Sequence, residues 1–283
     1  MQLIDIAVNG YKPQPLELRP FNTAQKNARN QCEIVTGPTY QMIEIITNIT
    51  DLSKVPNVML ELNGRPIVNC SAAELKTLIE GYSKRQREAG RIVIPFYRPE
   101  NRTLEGMRMG ELVTLPTDNL VLTVTLGDTG ETVPNLKARA LVTPSQPVRY
   151  FLPLIDTVDF NTPSSGENVW PWNDRRPSLF IRQLHFKADN DDMTFLRVYR
   201  DDLKVFEASA ADNTADLTEG GDCEQVPGYY HFDPAHIGFA MQGLYPTIAQ
   251  KELLFKYTKA AAGSMHVVRE MLEQVQALPT QAA

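Results

Sequence analysis

The sequence predicts an all-β fold of two tandem eight-stranded jelly rolls, each with one short helix. Short segments rich in apolar and β-branched residues alternate with turn signals along the chain, a texture typical of β-sandwiches. The order of these segments repeats: ELNGRPIVNCSAAEL (residues 61–75) has a counterpart, VYRDDLKVFEASAADNTADL (residues 198–217), about 138 positions later. Each repeat holds about eight strands, and two facing sheets of such strands protect most strand edges.

Composition and charge limit the classes of function. The chain has 283 residues and a net charge of −6, so its surface repels phosphate backbones and direct nucleic-acid binding is not expected. Its three cysteines, Cys32, Cys70 and Cys223, are far apart and form no CxxC pair, which disfavours a disulfide framework or a zinc site. The first residues show no secretory signal, and no apolar run reaches the length of a membrane span.

The domain boundaries follow from the positions of the prolines. Three prolines within the first 20 residues interrupt any long element there, so residues 1–30 are predicted to form an N-terminal arm. The segmental texture then begins, and residues 31–146 are predicted to form the first jelly roll. A second group of prolines precedes the next series of strands, so residues 147–283 are predicted to form the second jelly roll.

The first roll contains the clearest local signals. Asn63–Gly64 favours a type I′ hairpin turn, because both central residues of that turn need positive φ. Ser71 and Glu74 have the spacing of a capping box, and Leu75 opens an apolar stripe typical of one buried helix face. A hairpin followed at once by a well-formed helix is therefore predicted.

The second roll repeats these signals in a weaker form. Asp201–Asp202 takes the place of Asn–Gly in the turn, and Ser209 with Asp212 repeats the spacing of the cap. The segment after this cap lacks the apolar stripe, which predicts a shorter or less regular helix. We interpret the shared order of strands, turns and helix as an internal duplication.

Four segments carry a resemblance to a known family: GPTYQMIEI, VMLELNGRPI, KRQREAGRIVIPFYRPE and LFIRQLHFKADNDDMTFLRVY, which lie roughly between Cys32 and Phe206. In strand order and spacing the chain resembles the double jelly-roll major capsid proteins of tailless icosahedral bacteriophages that contain an internal membrane. It is most similar to the corticovirus major capsid protein. None of the four segments is a chemical signature, so the resemblance concerns architecture.

The resemblance implies a structural role, with no catalytic residue and no certain cofactor. Members of this family form homotrimers whose six jelly rolls make a pseudo-hexagonal tile, and the tiles form an icosahedral shell over a lipid membrane. The implied partners are neighbouring capsid trimers, a vertex (penton) protein, and the internal membrane or membrane-associated viral proteins, without direct contact to nucleic acid. The implied location is the capsid of the virion, with assembly in the host cytoplasm.

Calcium is the one ligand that the resemblance suggests, because trimers of this family often bind it at subunit contacts. Asp189, Asp191 and Asp192 supply the hard oxygen ligands that calcium prefers. Their spacing lacks the EF-hand pattern, so an acidic turn that is only solvated is the alternative interpretation.

A jelly-roll non-haem iron oxygenase is the enzymatic alternative. His231 and Asp233 form an HxD pair in a strand-like context, and His266 is the candidate for the third ligand of a facial triad. Arg269 would then anchor a co-substrate, but Met271 stands where that enzyme class expects a small hydroxyl residue. A hydrogen-bonded loop start at His231 and Asp233 is the structural interpretation.

The longest predicted loop contains Trp170 and Trp172. Exposed aromatic rings can stack on sugars, so a carbohydrate-binding β-sandwich is a second alternative. Burial at a subunit contact is favoured, because tryptophan is enriched in the cores of protein interfaces. The residues predicted to matter structurally are those of the turns and caps: Asn63, Gly64, Ser71, Glu74, Asp201 and Asp202.

Overall fold

The computed structural model describes residues 13–101, 103–130, 132–237 and 243–277. Within these ranges the first half of the chain forms nine strands: β1 (Gln14–Glu17), β2 (Arg29–Ile34), β3 (Thr39–Thr47), β4 (Asn57–Leu62), β5 (Arg65–Cys70), β6 (Arg91–Pro95), β7 (Leu112–Val113), β8 (Leu120–Thr125) and β9 (Leu136–Thr143). The second half forms nine more: β10 (Phe151–Thr162), β11 (Gly166–Pro171), β12 (Leu179–Ala188), β13 (Met193–Arg200), β14 (Leu203–Ser209), β15 (Tyr229–Phe232), β16 (Tyr245–Pro246), β17 (Leu253–Lys259) and β18 (Gly263–Gln274). Each half thus exceeds the predicted eight strands by one, the two-residue strand β7 or β16.

Four helices and one 3-10 turn (Leu52–Lys54) accompany the strands in the described residues. α1 (Glu74–Glu80) and α3 (Ala210–Thr218) each follow a hairpin, and α2 (Leu104–Arg108) and α4 (Pro234–Ile237) each follow the next strand. Across the described ranges, no helix has the length and apolar content that crossing a membrane requires.

Both halves have the same sheet topology. In the first half, the strand order is β1-β9-β3-β6, with β7 beside β3, in one sheet and β2-β8-β4-β5 in the other. In the second half, it is β10-β18-β12-β15, with β16 beside β12, and β11-β17-β13-β14. Each strand of the first half therefore has its counterpart nine strands later, as expected for a duplicated jelly roll.

Two β-bulges of the first half have counterparts at corresponding places in the second half. The β4–β5 hairpin shifts its register after Leu60, and the β13–β14 hairpin shifts after Val198. Against its neighbour, β3 shifts after Tyr40 and β12 shifts after Ile181. Because bulges are retained features of a fold, they support the duplication and align the halves residue by residue.

Alternation along the strands separates the core from the surface. In β9, Leu136 and Ala138 are buried, whereas Lys137 is exposed and Arg139 is partly exposed. Successive side chains of a strand point to opposite faces of the sheet. We call the face that carries Lys137 and Arg139, which points away from the core, the outer face of the first roll.

The two rolls meet where β5 runs parallel to β10, with Val68 paired to Ile155. Through this contact, the β2-β8-β4-β5 sheet of the first roll continues into the β10-β18-β12-β15 sheet of the second. We call the region in which β5, α1 and the residues around them contact the second roll the internal junction. Residues 144–150 connect β9 to β10, so the predicted boundary after residue 146 falls within this connection.

Residues 13–30, the described part of the predicted arm, belong to the first roll. β1 pairs with β9 along its four residues, and Leu18 and Phe21 are buried in the core. β1 is an edge strand, and there Pro15 is tolerated because an edge strand bonds on one side only. The prolines therefore mark a sheet edge, and the remainder of the predicted arm lies outside the described residues.

The helix after Ser209 is more regular than the helix after Ser71, which is the opposite of the prediction. α1 is π-helical, and the hydroxyl of Thr77 donates to the carbonyl of Ala73, in competition with backbone bonding. α3 is a regular α-helix of nine residues that buries Asn213 and Leu217, one turn apart. The prediction of a less regular helix after Ser209 was wrong, because a cap and a few tertiary contacts suffice to hold a short helix.

Candidate functional site at the internal junction

The two hairpin turns that precede α1 and α3 have the same geometry. All four central residues have positive φ: Asn63 (54°), Gly64 (78°), Asp201 (50°) and Asp202 (69°). Such angles define a type I′ turn, which matches the twist of the paired strands. The carboxylate of Asp201 also accepts the backbone N–H groups of residues 250–252 at 2.6–3.2 Å, so aspartate here fixes a neighbouring loop to the turn.

Matching caps start the helix after each hairpin. The Ser71 hydroxyl accepts the N–H of Glu74 at 3.2 Å, and the Ser209 hydroxyl accepts the N–H of Asp212 at 3.1 Å. The Glu74 carboxylate accepts the N–H of Ser71 in return, which completes a capping box. Glu74 and Asp212 therefore hold the same position in the two rolls.

A carboxylate on α1 crosses the internal junction to a histidine of the second roll. Oε1 of Glu74 lies 2.5 Å from Nε2 of His266, whose Nδ1 lies 2.6 Å from Asp159. The hydrogen bond with Glu74, above all, raises the pKa of His266 to about 9, so the imidazole is a cation at neutral pH. Burial acts to raise the pKa of Glu74, but hydrogen bonds from His266 and Ser71 lower it. The two residues form an ion pair between the rolls.

Aromatic and imidazole rings fill the centre of the internal junction. Tyr82, just after α1, donates its hydroxyl to Asp233 at 2.9 Å, and its ring centroid lies 4.6 Å from that of His231. Nδ1 of His231 lies 2.8 Å from Nδ1 of His185. Burial lowers the pKa of His185 well below its usual range and that of His231 to about 3, so both imidazoles are neutral.

A buried arginine of the first roll, Arg98, is connected to these rings through the carboxylate of Glu270. The Arg98 guanidinium contacts Glu270, and Glu270 also lies 3.2 Å from Nε2 of His185. Arg98 further lies 3.5 Å from Glu100. All four residues are at most 5% exposed. Removing one partner of a buried ion pair costs about 3–5 kcal/mol, so these contacts hold the two rolls in one relative position.

The first roll has a charged cluster on its outer face, at the place that corresponds to His185 in the second roll. Glu44 occupies in β3 the position that His185 occupies in β12, counted from the two bulges. Its buried carboxylate lies 3.0 Å from Arg87 and 3.2 Å from Arg91, and it also contacts Arg139. These three arginine side chains are 34–40% exposed, so the cluster leaves positive charge at the surface.

The residues of the predicted iron triad do not come together. His231 and Asp233 lie in the buried centre of the junction, whereas both ring nitrogens of His266 are bonded to Glu74 and Asp159. In the described part of the chain, no group of three or more His, Cys, Asp or Glu side chains is arranged to hold a metal ion. The geometry therefore does not support an iron oxygenase.

A lysine at the end of β17 contacts the acidic turn that was predicted to bind calcium. Nζ of the buried Lys259 lies 2.6 Å from Asp189 and 3.7 Å from Asp192. Both carboxylates also accept backbone N–H groups of the facing turn, and Asp191 has a left-handed backbone with φ of 52°. The ammonium group offsets part of the negative charge of Asp189 and Asp192, and the three predicted ligands do not form one metal site.

Both tryptophans are packed within the chain. Trp172 is 3% exposed, and its indole N–H donates to the carbonyl of Asp174 at 2.8 Å. Trp170 lies in β11 and stacks on Phe160, with ring centroids 5.1 Å apart. Trp172 thus belongs to the chain's own core instead of the predicted subunit contact. It offers no open ring face for a sugar, and the ring of Trp170 is already stacked.

Known protein families match both halves of the chain. Residues 15–143 match the family model of the viral coat protein P2 N-terminal domain, and residues 152–275 match that of the viral coat protein P2 C-terminal domain. One domain model therefore covers most of each roll, and the connection between the rolls lies between them. Among curated proteins, the comparison found no match to this sequence.

Solved structures share the fold of the chain. The crystal structure of the major capsid protein P2 from bacteriophage PM2 is 19% identical, with 94% of this chain and 98% of that chain covered and a TM-score of 0.84. A chain in the atomic structure of Sulfolobus Turreted Icosahedral Virus is 10% identical, with coverages of 93% and 91% and a TM-score of 0.69. A chain of the PBCV-1 virus capsid is 9% identical, with coverages of 95% and 97% and a TM-score of 0.60. The predicted resemblance and the predicted double jelly roll are both confirmed.

Proposed function

Because this chain belongs to the viral coat protein P2 family and is a major capsid protein of a virion, we propose that it assembles as a homotrimer. Three copies bring six jelly rolls together, and six similar rolls around one axis form a pseudo-hexagonal tile. Homo-oligomers of this kind close by rotational symmetry. The observation that carries the proposal is the identical strand order of β1–β9 and β10–β18 within one chain.

The internal junction supports this role, because a tile needs its two rolls at a fixed angle. Glu270 of the second roll receives both Arg98 of the first roll and His185, away from solvent. Tyr82 adds a hydrogen bond to Asp233 across the same junction. A buried polar network with paired members favours one arrangement over others, so each copy acts as a rigid pair of rolls.

In the same proposal, the tiles form an icosahedral shell around an internal lipid membrane. The protein then contacts neighbouring trimers, a separate vertex protein, and the membrane or proteins associated with it. The net charge of −6 supports separation from the genome, because an acidic surface repels nucleic acid. The role is structural and not enzymatic, and assembly takes place in the host cytoplasm.

The mass of the assembly tests the homotrimer. Native mass spectrometry and light scattering of the purified protein are expected to give three times the chain mass of 31.8 kDa. A single-chain mass that persists at micromolar concentration would contradict the homotrimer. Micrographs of the same sample check for the pseudo-hexagonal outline.

The lipid content of purified particles tests the membrane. Phospholipid that co-purifies with the shell and is released by detergent is the expected result. Intact particles without phospholipid would contradict the internal membrane and leave the homotrimer standing.

A further inference from the structure

Two strands pair where the rolls of one chain meet, and the strands that correspond to them lie at the free edges of their sheets. In the internal junction, β5 of the first roll meets β10 of the second. The counterparts of these strands are β14 on the second roll and β1 on the first. Among the described residues, each of these two strands is the last of its sheet. The edge strand β14 therefore corresponds to β5, and the edge strand β1 corresponds to β10.

β14 exposes side chains where its counterpart buries them. Ile67 in β5 is 1% exposed, whereas Val205, at the same distance from the hairpin turn in β14, is 41% exposed. Leu203, at the start of β14, is 67% exposed. An exposed apolar edge strand is a template for contact with another chain. In the isolated chain, β14 therefore lacks the cover that β5 receives from the second roll.

The bulges identify which residue of the first roll corresponds to His266. Lys187 lies six residues after Ile181, where the register of β12 shifts, and its partner on β18 is His266. Ile46 lies six residues after Tyr40, where the register of β3 shifts, and its partner on β9 is Lys137. Lys137 on the outer face of the first roll is therefore the counterpart of His266.

Opposite charges stand at these two unused places. Asp212, the counterpart of Glu74, is exposed on α3, and Lys137 is exposed on β9. Within the chain, Glu74 already pairs with His266. We propose that Asp212 of one copy pairs with Lys137 of a second copy, so that the contact between copies repeats the internal junction. This interface rests on the proposed homotrimer.

The charges around the two residues are complementary as well. The cluster around Glu44 leaves its three arginines partly exposed on the outer face. The counterpart of Glu44, His185, is covered within the chain by Tyr82, which follows α1. In a second copy, α3 and the loop after it carry acidic side chains and no basic ones: Asp212, Asp216, Glu219, Asp222 and Glu224, all exposed. This acidic segment is placed to cover the arginine cluster.

Repetition of one junction is consistent with the ring closure that the proposed homotrimer needs. A contact between two different surfaces, passed from copy to copy, closes into a ring when its rotation divides the circle. The internal junction is one step, and the contact between copies is the next. In the proposed homotrimer, six such steps close the ring over three chains, and α3 of the third copy reaches Lys137 of the first.

Charge reversal tests the pair directly. Asp212→Lys and Lys137→Asp are each expected to weaken trimer association at least about tenfold, because like charges then meet at the contact. The double variant restores opposite charges and is expected to recover the trimer. Analytical ultracentrifugation over a dilution series measures all three variants.

Glu167 provides the matched control, because it lies on β11 at the opposite edge of the sheet from β14 and forms a partly exposed pair with Arg197 at 2.7 Å. Glu167→Lys is expected to remain trimeric. Circular dichroism and thermal unfolding of every variant separate lost assembly from lost folding. Single reversals at Asp212 and Lys137 that stay fully trimeric, or a double variant that does not recover, overturn the interface. A monomeric wild-type protein overturns the homotrimer instead.

Cross-linking provides a second, independent measurement. A chain with both Asp212→Cys and Lys137→Cys is expected to give covalent dimers and trimers with a short bismaleimide. The native Cys32, Cys70 and Cys223 are buried, so chains with only one of the two substitutions are expected to run as monomers on a denaturing gel. A double variant that is trimeric in solution but forms no covalent ladder overturns the inference.

Discussion

Oε1 of Glu74 and Nε2 of His266 lie 2.5 Å apart, although 192 positions separate the two residues in the sequence. Glu74 is part of a helix cap in the first roll, and His266 lies in β18 of the second roll. Asp159, on the neighbouring β10, holds the other ring nitrogen of His266. A motif that starts a helix locally therefore also connects two distant parts of the chain.

The raised pKa of His266 predicts that alkaline pH weakens the internal junction. The pKa is about 9 in the fold and about 6.5 in an unfolded chain. The charged imidazole therefore stabilises the fold fully below about pH 6.5, and this contribution is lost as the pH rises through about 9. The melting temperature of the wild-type protein is expected to fall more steeply over this range than that of His266→Gln. Parallel declines of the two proteins would contradict the prediction.

The buried pair of Arg98 and Glu270 predicts a large cost for the loss of one charge. Arg98→Met leaves the Glu270 carboxylate without its guanidinium partner and is expected to lower the free energy of unfolding by about 3–5 kcal/mol. Arg19→Met, which breaks the exposed pair with Glu33, is the control and is expected to cost at most about 1 kcal/mol. Urea unfolding followed by circular dichroism measures both variants. Similar costs would show that burial does not strengthen the contribution of the Arg98 pair.

The left-handed turn residues predict that two substitutions change the stability of the protein in opposite directions. Gly64→Ala places its new Cβ in open space, so backbone strain alone is expected to destabilise the protein by about 1 kcal/mol. Asp202→Gly is expected to raise stability, because glycine adopts the φ of 69° without strain. The exposed contact of Asp202 with Lys251 contributes little in comparison. Calorimetric melting temperatures check both, and shifts in the same direction would count against type I′ strain as the cause.

The contact of Lys259 with the acidic turn predicts that calcium does not affect the stability of the wild-type fold. Its ammonium group already pairs with Asp189 and Asp192 and repels a second cation, so neither calcium nor a chelator is expected to change the melting temperature. Lys259→Met removes the ammonium partner of both carboxylates and is expected to lower the melting temperature. Added calcium is expected to restore part of that loss, because it binds hard oxygen ligands. A chelator that lowers the melting temperature of the wild-type protein would contradict this assignment.

The turns and caps could be predicted because their physics is local. The Asn63–Gly64 turn and the caps at Ser71 and Ser209 depend on residues within a few positions of each other, and turns and caps lie there in the structure. The duplication could be predicted because the same series of strands, turns and caps occurs twice along the chain. Neither inference requires knowledge of which distant segments touch.

The internal junction could not be predicted in this way. In β12, Gln183 and His185 alternate with the apolar Leu184 and Phe186, a pattern that usually indicates one solvent-facing side of a strand. The first roll covers that side, and its Arg98 comes from a segment with no comparable signal. A strand pattern reports that one face is polar, but it does not report whether another domain covers that face.

The short connection of residues 144–150 gives the two kinds of contact a different dependence on concentration. Partners that are joined by a short linker meet at an effective concentration in the millimolar range, whatever the concentration of the protein. The contact of β5 with β10 therefore forms in each newly made chain on its own. In the proposed homotrimer, the corresponding contact between chains depends on the concentration of the protein. The concentration then sets when copies associate, and each copy brings the edge strands β1 and β14 already folded.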